Sequence, residues 1–355
     1  MIAFLIKIKI KIKNKIYAYF ATRKMLRVIM SDIASKYSLY IVNISSLPNG
    51  FVHLNYKCVT NKNKSIVLRI YRNCHLNEIK AETQLLDQLS THPAIQKHIV
   101  TMIQDNNGQK VGQVGKYFYS LFEYIENDPI TYLDLAQANN VANILRKIHD
   151  IGVHLCNDFK DRTLVSIEQV TNTLSNFYSK KIVTRNEYGN LMNIAHAYGE
   201  LITKYQQNTI LHCDVHRNNL LLDKTTNNLV IIDFNDFCVG PAIIDLAIMM
   251  RMLCLERNIF DIAMAKQIFY GYYSTSPGNV QINVNDLLIF MLFNLVFCCE
   301  YYLQVGHADN YEQFHIAYNK ILILQKSANR IIKELSIFNH TTVNPSSLTK
   351  SIAEG

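Results

Sequence analysis

The residues best placed to do chemistry lie in one short stretch, His212-Cys213-Asp214-Val215-His216-Arg217-Asn218-Asn219, and in Asp233 downstream. Asp214 and Asn219 are five positions apart, and Asp233 follows Asn219 by 14. Between them the chain reads LLL, a polar turn DKTTNN, then LVII, which predicts a β-hairpin that carries Asp233 back beside Asn219. Two acids and one amide brought together suit the handling of phosphate. Carboxylates and phosphates repel each other unless a divalent ion lies between them. Asn219 and Asp233 are therefore the expected oxygen ligands of Mg²⁺, an ion that takes few protein ligands and keeps phosphate and water in its shell. Asp214 is left to accept or orient the proton of an attacking hydroxyl. His212, Asp214 and His216 alternate as metal ligands on a strand would, which allows a metal-hydrolase reading. No other close histidine pair completes that set, and His216 reads as a loop residue.

HCDVHRNN…IIDFND…GPAIIDLA resembles the signature of the aminoglycoside phosphotransferase and choline kinase-like superfamily, H-G-D-x-H-x-x-N…I-D-F/L-x-D…G-P-x-x-D-L. The resemblance covers most of residues 40–330 and is strongest over 210–250. It implies a protein-kinase-like fold with ATP and Mg²⁺ as cofactors. Asp214 matches the catalytic aspartate, and Asn219 and Asp233 match the metal ligands. His212 matches a residue that braces the loop, and Asp245 matches an acid that buttresses it. Cys213 replaces the usual glycine, Arg217 stands where proline is common, and Asn235 holds the place of the glycine in Asp-Phe-Gly. Asp236 is open to two readings, help to a second metal or a turn cap. Asp245 by itself is explained as an N-cap before an apolar helix.

A lobe of this kind needs a strand cation for the phosphates and a helix glutamate paired with it. The matching residues are Arg69 in IVLRIYR and Glu82, which shares a helical stripe with Ile79 and Leu86. An acid on an apolar stripe is costly unless partnered. Leu47-Pro48-Asn49-Gly50 is the expected phosphate-covering loop, with Asn49 and Gly50 at its tip. Phe122 to Ile125, including Glu123 and Tyr124, is the hinge whose backbone would meet the adenine.

The elements that must position these residues change character along the chain. Residues 31–124 read as strands with one helix: apolar runs flank a Pro-Asn-Gly turn, and the helix is NEIKAETQLLDQL. Residues 125–340 read as helical around the one hairpin, with DLAQANNVANILRKIHDIG closing on a glycine C-cap at Gly152. The expected class is α+β: a two-lobed protein-kinase-like fold, with a small antiparallel β-sheet N-lobe and a larger, mainly helical C-lobe. Residues 341–355 read as a disordered tail.

Composition narrows the partners. Lys and Arg number 36 against 28 Asp and Glu, a net +8. Residues 1–30 hold eight cations and no acid, so the remainder balances at 28 to 28 and gives no footprint for nucleic acid. That basic stretch, IKIKIKIKNKIYAYF onward, lacks the apolar run of about 7–15 residues of a signal peptide and reads as an extension outside the fold. The eight cysteines include no C-x-x-C pair and suit a reducing cytoplasm. Leu287–Cys299 is 13 residues long and contains Asn294, too short for a span of about 20; no transmembrane segment is expected.

The function these readings favour is transfer of the γ-phosphoryl group of ATP to a hydroxyl of a small molecule (an amino alcohol, amino acid or sugar). A protein Ser/Thr kinase on the same scaffold and a nucleotide-binding pseudokinase are the alternatives. Drug-modifying members of the superfamily line their acceptor site with acids. The eight acids between 251 and 355 are spread thinly, which disfavours a polycationic antibiotic.

Overall fold

The computed structural model describes residues 23–47, 53–72, 74–128, 130–256, 258–274, 283–305 and 308–336. They fall into two compact units, the described residues of Met1–Thr91 with Val100–Glu126, and those of His92–Ile99 with Asn127–Gly355. The expected lobe boundary thus needs one revision, because His92–Ile99 belongs to the second unit. His98 Nδ1 lies 2.7 Å from the carbonyl of Leu229, and Ile99 bridges Ile231.

The first unit is built on strands β1 (Ile41–Ser46), β2 (Leu54–Thr60), β3 (Ser65–Tyr71), β4 (Met102–Ile103), β5 (Val111–Val114) and β6 (Tyr117–Glu123). The sheet order is β1-β2-β3-β6-β4, with β5 also on β6 and every pairing antiparallel. Strand periodicity gives β3 two faces. Ile66, Leu68 and Ile70 enter the core, and Arg69 and Tyr71 point to the other side, where helix α2 (Leu76–Ser90) lies.

Two helices, not one, flank this sheet. Helix α1 spans residues 23–37, and its Ile29 and Ile33 are fully buried against Cys58, Ile66, Leu68 and Leu121. The assignment of residues 1–30 to an extension outside the fold is therefore wrong for residues 23–30. Charge counting hid the stripe Ile29, Ile33 and Tyr37, whose spacing is helical. The rest of the basic stretch, the loop tip Asn49-Gly50 and residues 341–355 lie outside the described residues.

The second unit contains α3 (Leu135–Leu155), α4 (Ile167–Ser179), α5 (Arg185–Ile202), α6 (Ile243–Cys254), α7 (Ile262–Tyr273), α8 (Val284–Val305) and α9 (Ala308–Ser336). The expected hairpin is β9 (Leu220–Asp223) with β10 (Leu229–Ile231), extended by β7 (Asn127–Asp128). A second antiparallel pair, β8 (Asn208–Leu211) with β11 (Cys238–Pro241), brackets the chemistry-bearing loop and was not anticipated.

Gly152 is not a C-cap. The helix runs on to Leu155, and a Cβ at Gly152 would stand 2.5 Å from Thr209 Oγ1 and 2.7 Å from the nitrogen of Ile210. Glycine is needed there because α3 crosses β8 at close range. Helix α8 is long and apolar enough to cross a membrane, but most of that span is buried inside the unit, with Leu287, Met291, Leu295 and Cys299 in its core.

Because Ile33 is fully enclosed, Ile33→Ala should destabilise the protein by about 2–5 kcal/mol. A urea denaturation midpoint unchanged by the substitution would place α1 outside the cooperative fold.

Candidate active site

The loop between β8 and β9 carries Asp214 and Asn219, and the end of β10 delivers Asp233. His212 joins the two sides. It is fully buried, its Nε2 donates to the carbonyl of Ile232 at 3.0 Å, and its Nδ1 accepts the backbone N–H of Asp214 at 3.2 Å. Both ring nitrogens are thus committed to bracing the loop, which removes His212 as a metal ligand and with it the hydrolase reading. The nitrogen of Ile232 donates to the carbonyl of Asn219 at 2.9 Å, so Asp233 is drawn back beside the loop. Cys213 and Asp233 both take left-handed backbone, at φ 66° and 69°. For a residue with a Cβ this costs about 1–2 kcal/mol, which explains why glycine is usual at the first position.

Asp214 and Asn219 are brought together directly. The Asn219 amide nitrogen donates to both the backbone carbonyl and Oδ2 of Asp214, each at 2.9 Å. Asn219 is 7% exposed, and spending its N–H groups on Asp214 turns its Oδ1 toward other partners. His216 also faces the carboxylate, with Nε2 3.2 Å from Asp214 Oδ2, while its Nδ1 accepts the Asn218 N–H. His216 is thus more than a loop residue. Burial alone would raise the Asp214 carboxyl. Hydrogen bonds from His216 and the Asn219 amide, with the favourable electrostatics of the His216 and His212 rings, outweigh it and hold the group below the usual carboxylate range. Asp236 moves the other way: burial raises it, and so do the charges of Asp214 and Asp233. Three carboxyl groups therefore converge here, and Asp236 is held protonated to higher pH by burial and by the other two. A donor set of Asn219 Oδ1 and Asp233, in a field that repels further negative charge, fits a hard divalent cation.

Asp245 is fully buried and does not cap α6. That position belongs to Ala242, and Asp245 sits in the first turn. Its Oδ2 accepts the N–H of His212 at 2.6 Å and its Oδ1 that of Cys213 at 2.7 Å. His149 on α3, itself 3% exposed, donates from Nε2 to Oδ2 at 3.0 Å. The Tyr272 hydroxyl, 2.5 Å from His149 Nδ1, supplies the proton there; burial pushes that phenol far above its ordinary pKa, so it stays a donor. Thr209 Oγ1 donates to the His149 carbonyl at 2.6 Å. His149 and Tyr272 escaped the sequence reading. The signal was available for His149, a polar residue on the apolar stripe Val141, Ala142, Leu145 and Ile148, the same signal that marked Glu82. Arg162 was also missed. It donates to the carbonyls of Asn235 and Phe237 at 2.6 and 2.9 Å and so holds the turn after Asp233, from a polar loop with no periodicity to expose it.

In the first unit Arg69 and Glu82 are brought together. Arg69 Nη1 lies 3.0 Å from Glu82 Oε1, and Arg69 and Glu82 are 8% and 2% exposed. Arg69 Nε also donates to Asn55 Oδ1 at 3.3 Å, and Tyr71 OH donates to Glu82 Oε2 at 3.4 Å. Glu123 ends β6, with its N–H on the carbonyl of Thr101 and its carboxylate 3.0 Å from Lys64. Tyr124 lies under the Lys57 ammonium at 3.9 Å, and Ile125 follows it, half-buried.

Asp245→Ala would leave two buried N–H groups and His149 without their acceptor. It should cost about 3–5 kcal/mol. A loss under about 1 kcal/mol in urea denaturation would show that the loop does not lean on this carboxylate.

Residues 43–275 match the profile of the phosphotransferase enzyme family. No curated protein sequence matches the chain. Among solved structures it is similar to spectinomycin phosphotransferase in complex with ADP and spectinomycin, at 14% identity and a TM-score of 0.65 over 85% of this chain and 98% of that one. The microcompartment-associated aminopropanol kinase gives 15% and 0.64 over 86% and 98%. Choline kinase from Cryptosporidium parvum Iowa II gives 16% and 0.59 over 89% and 100%. At these identities the structures speak for the protein-kinase-like fold, and the family match covers more than half of the sequence. The chain belongs to the phosphotransferase enzyme family.

Proposed function

We propose that this phosphotransferase moves the γ-phosphoryl group of ATP onto a hydroxyl of a small molecule, with an amino alcohol, amino acid or sugar as the acceptor class. The observation that carries the reading is the Asp214 carboxylate. It is kept ionised by His216 and oriented by the Asn219 amide, within a loop braced at both ends. A carboxylate so held can accept the acceptor's proton as the oxygen attacks. A positioned base of this kind contributes about 10²–10⁴ in rate.

Asn219 and Asp233 are the residues that would hold Mg²⁺, and Asp236 lies close enough to feel the charges of Asp214 and Asp233. The ion, when bound, neutralises phosphate charge that these carboxylates would otherwise repel. His212 and Asp245 do no chemistry in this scheme; they keep the loop from relaxing. Arg69, set by Glu82 and Asn55, is assigned to the nucleotide phosphates, and the backbone of Glu123 to Ile125 to the base. Asn49 and Gly50 keep their assignment to the phosphate-covering loop. Arginine in place of the usual lysine supplies a fixed planar fork instead of a point charge, and its pairing with Glu82 keeps that fork oriented. The eight free thiols suit a reducing compartment, and we assign the protein to the cytoplasm.

A metabolite library incubated with labelled ATP and Mg²⁺ tests the reading. The label should appear in a soluble product. Asp214→Ala should lose at least about 10²-fold of the turnover while the thermal shift given by Mg-ATP persists, and Asp233→Ala should lose the Mg²⁺-dependent part of that shift. Retained turnover in Asp214→Ala would remove the base. Label in protein would favour a Ser/Thr kinase, and absence of any shift with Mg-ATP would favour a scaffold.

A further inference from the structure

Cys213 stands directly before Asp214 in the loop, in left-handed backbone that glycine would occupy without strain. Its thiol meets a second one. Cys213 Sγ lies 3.0 Å from Cys238 Sγ, and a disulfide bond is about 2.03–2.05 Å long. Both cysteines are free thiols, Cys238 buried and Cys213 partly accessible. The segments that carry them are already aligned. Cys238 opposes Leu211 in the β8–β11 pair, and Arg162 holds the carbonyl of the preceding Phe237. Little separates this pair from a bond.

We infer that Cys213 and Cys238 are a reversible oxidation site, and that peroxide closes them into a disulfide that disables the adjacent Asp214 loop. The chemistry balances with hydrogen peroxide as the oxidant. The Cys213 thiolate attacks one oxygen and becomes a sulfenic acid. The O–O bond breaks, and the departing hydroxide takes up the proton lost by that thiol as the first water. Cys238 sulfur then displaces the sulfenic oxygen, which leaves with the second thiol's proton as the second water. Two thiols are oxidised by two electrons, and both peroxide oxygens are reduced.

The mechanical consequence follows from what Cys213 touches. Its N–H is anchored on Asp245 Oδ1, and its neighbour is the carboxylate assigned as base. Drawing the sulfurs into bonding range moves this link by about 1 Å. A misplacement of about that size at a reacting centre costs about 10²-fold. The thiol–thiol hydrogen bond, then burial and the Asp245 charge, push the Cys213 thiol well above its ordinary range, so the thiolate that attacks peroxide becomes more abundant as pH rises. Family members with glycine at this position have no such pair.

The test uses the full chain, reduced, desalted and treated with hydrogen peroxide at alkaline pH. Remaining thiols are alkylated before a non-reducing peptide map, and Mg²⁺-dependent ATP hydrolysis is followed in the same samples. A peptide joining residues 213 and 238 should appear, and turnover should fall at least about tenfold, given the misplacement above. Dithiothreitol should reverse both. Cys238→Ser should keep its basal turnover and resist the reversible loss, and Cys213→Gly should form no linked peptide. Absence of the linked peptide, with oxidation only at Cys74, Cys156 or Cys298, overturns the site. A linked peptide with undiminished turnover overturns its effect on the loop. If the reduced protein hydrolyses no ATP at all, it is the phosphotransfer reading that fails, and the peptide map still decides the pair.

Discussion

A buried carboxylate with three donors is what the second unit is organised around. Asp245 is withdrawn from water completely, which would be prohibitive for an isolated charge, and is tolerable only because His212 N–H, Cys213 N–H and His149 Nε2 all point at it. The dependence runs both ways. The loop's N–H groups need an acceptor because β8 ends at Leu211 and offers none, and the carboxylate needs donors because α6 has carried it into the core. One interaction therefore sets the height of Asp214 on its loop. The remaining contacts, from His149 to Tyr272 and Thr209, set the height of Asp245.

The first unit solves a related problem with a full ion pair. Arg69 and Glu82 are nearly enclosed, one on β3 and one on α2, and each supplies what the other needs in a place water barely reaches. Such pairs contribute little net stability but penalise any arrangement that separates them. The strand's alternation makes the pair possible. Ile66, Leu68 and Ile70 spend one face of β3 on the α1 side, which leaves Arg69 and Tyr71 on the face toward α2.

Electrostatics in the second unit treats its neighbouring carboxyl groups differently. Asp214 is kept ionised by histidines on its own loop, and Asp236 is driven toward protonation by burial and by the charges of Asp214 and Asp233. The asymmetry leaves neighbouring carboxyl groups with opposite shifts, one lowered and one raised.

Much of this was legible in the residues alone. The hairpin that carries Asn219 and Asp233 was expected from spacing, because the polar turn between two apolar runs announces it. Glu82 stood out because an acid on an apolar stripe demands a partner, and the family resemblance offered Arg69 at the strand-cation position. Other features had no local signature. Helix α1 was masked by the charge of its surroundings, Gly152 looked like a helix end until β8 was found against it, and Asp245 looked like a cap until its burial showed otherwise. His149, Arg162 and the pairing of Cys213 with Cys238 join residues 25 to 96 positions apart. Sequence patterns report which groups require a partner, since periodicity and residue type fix what will be buried. They do not report which partner arrives, because that depends on how helices and strands distant along the chain pack together, and only the folded chain decides it.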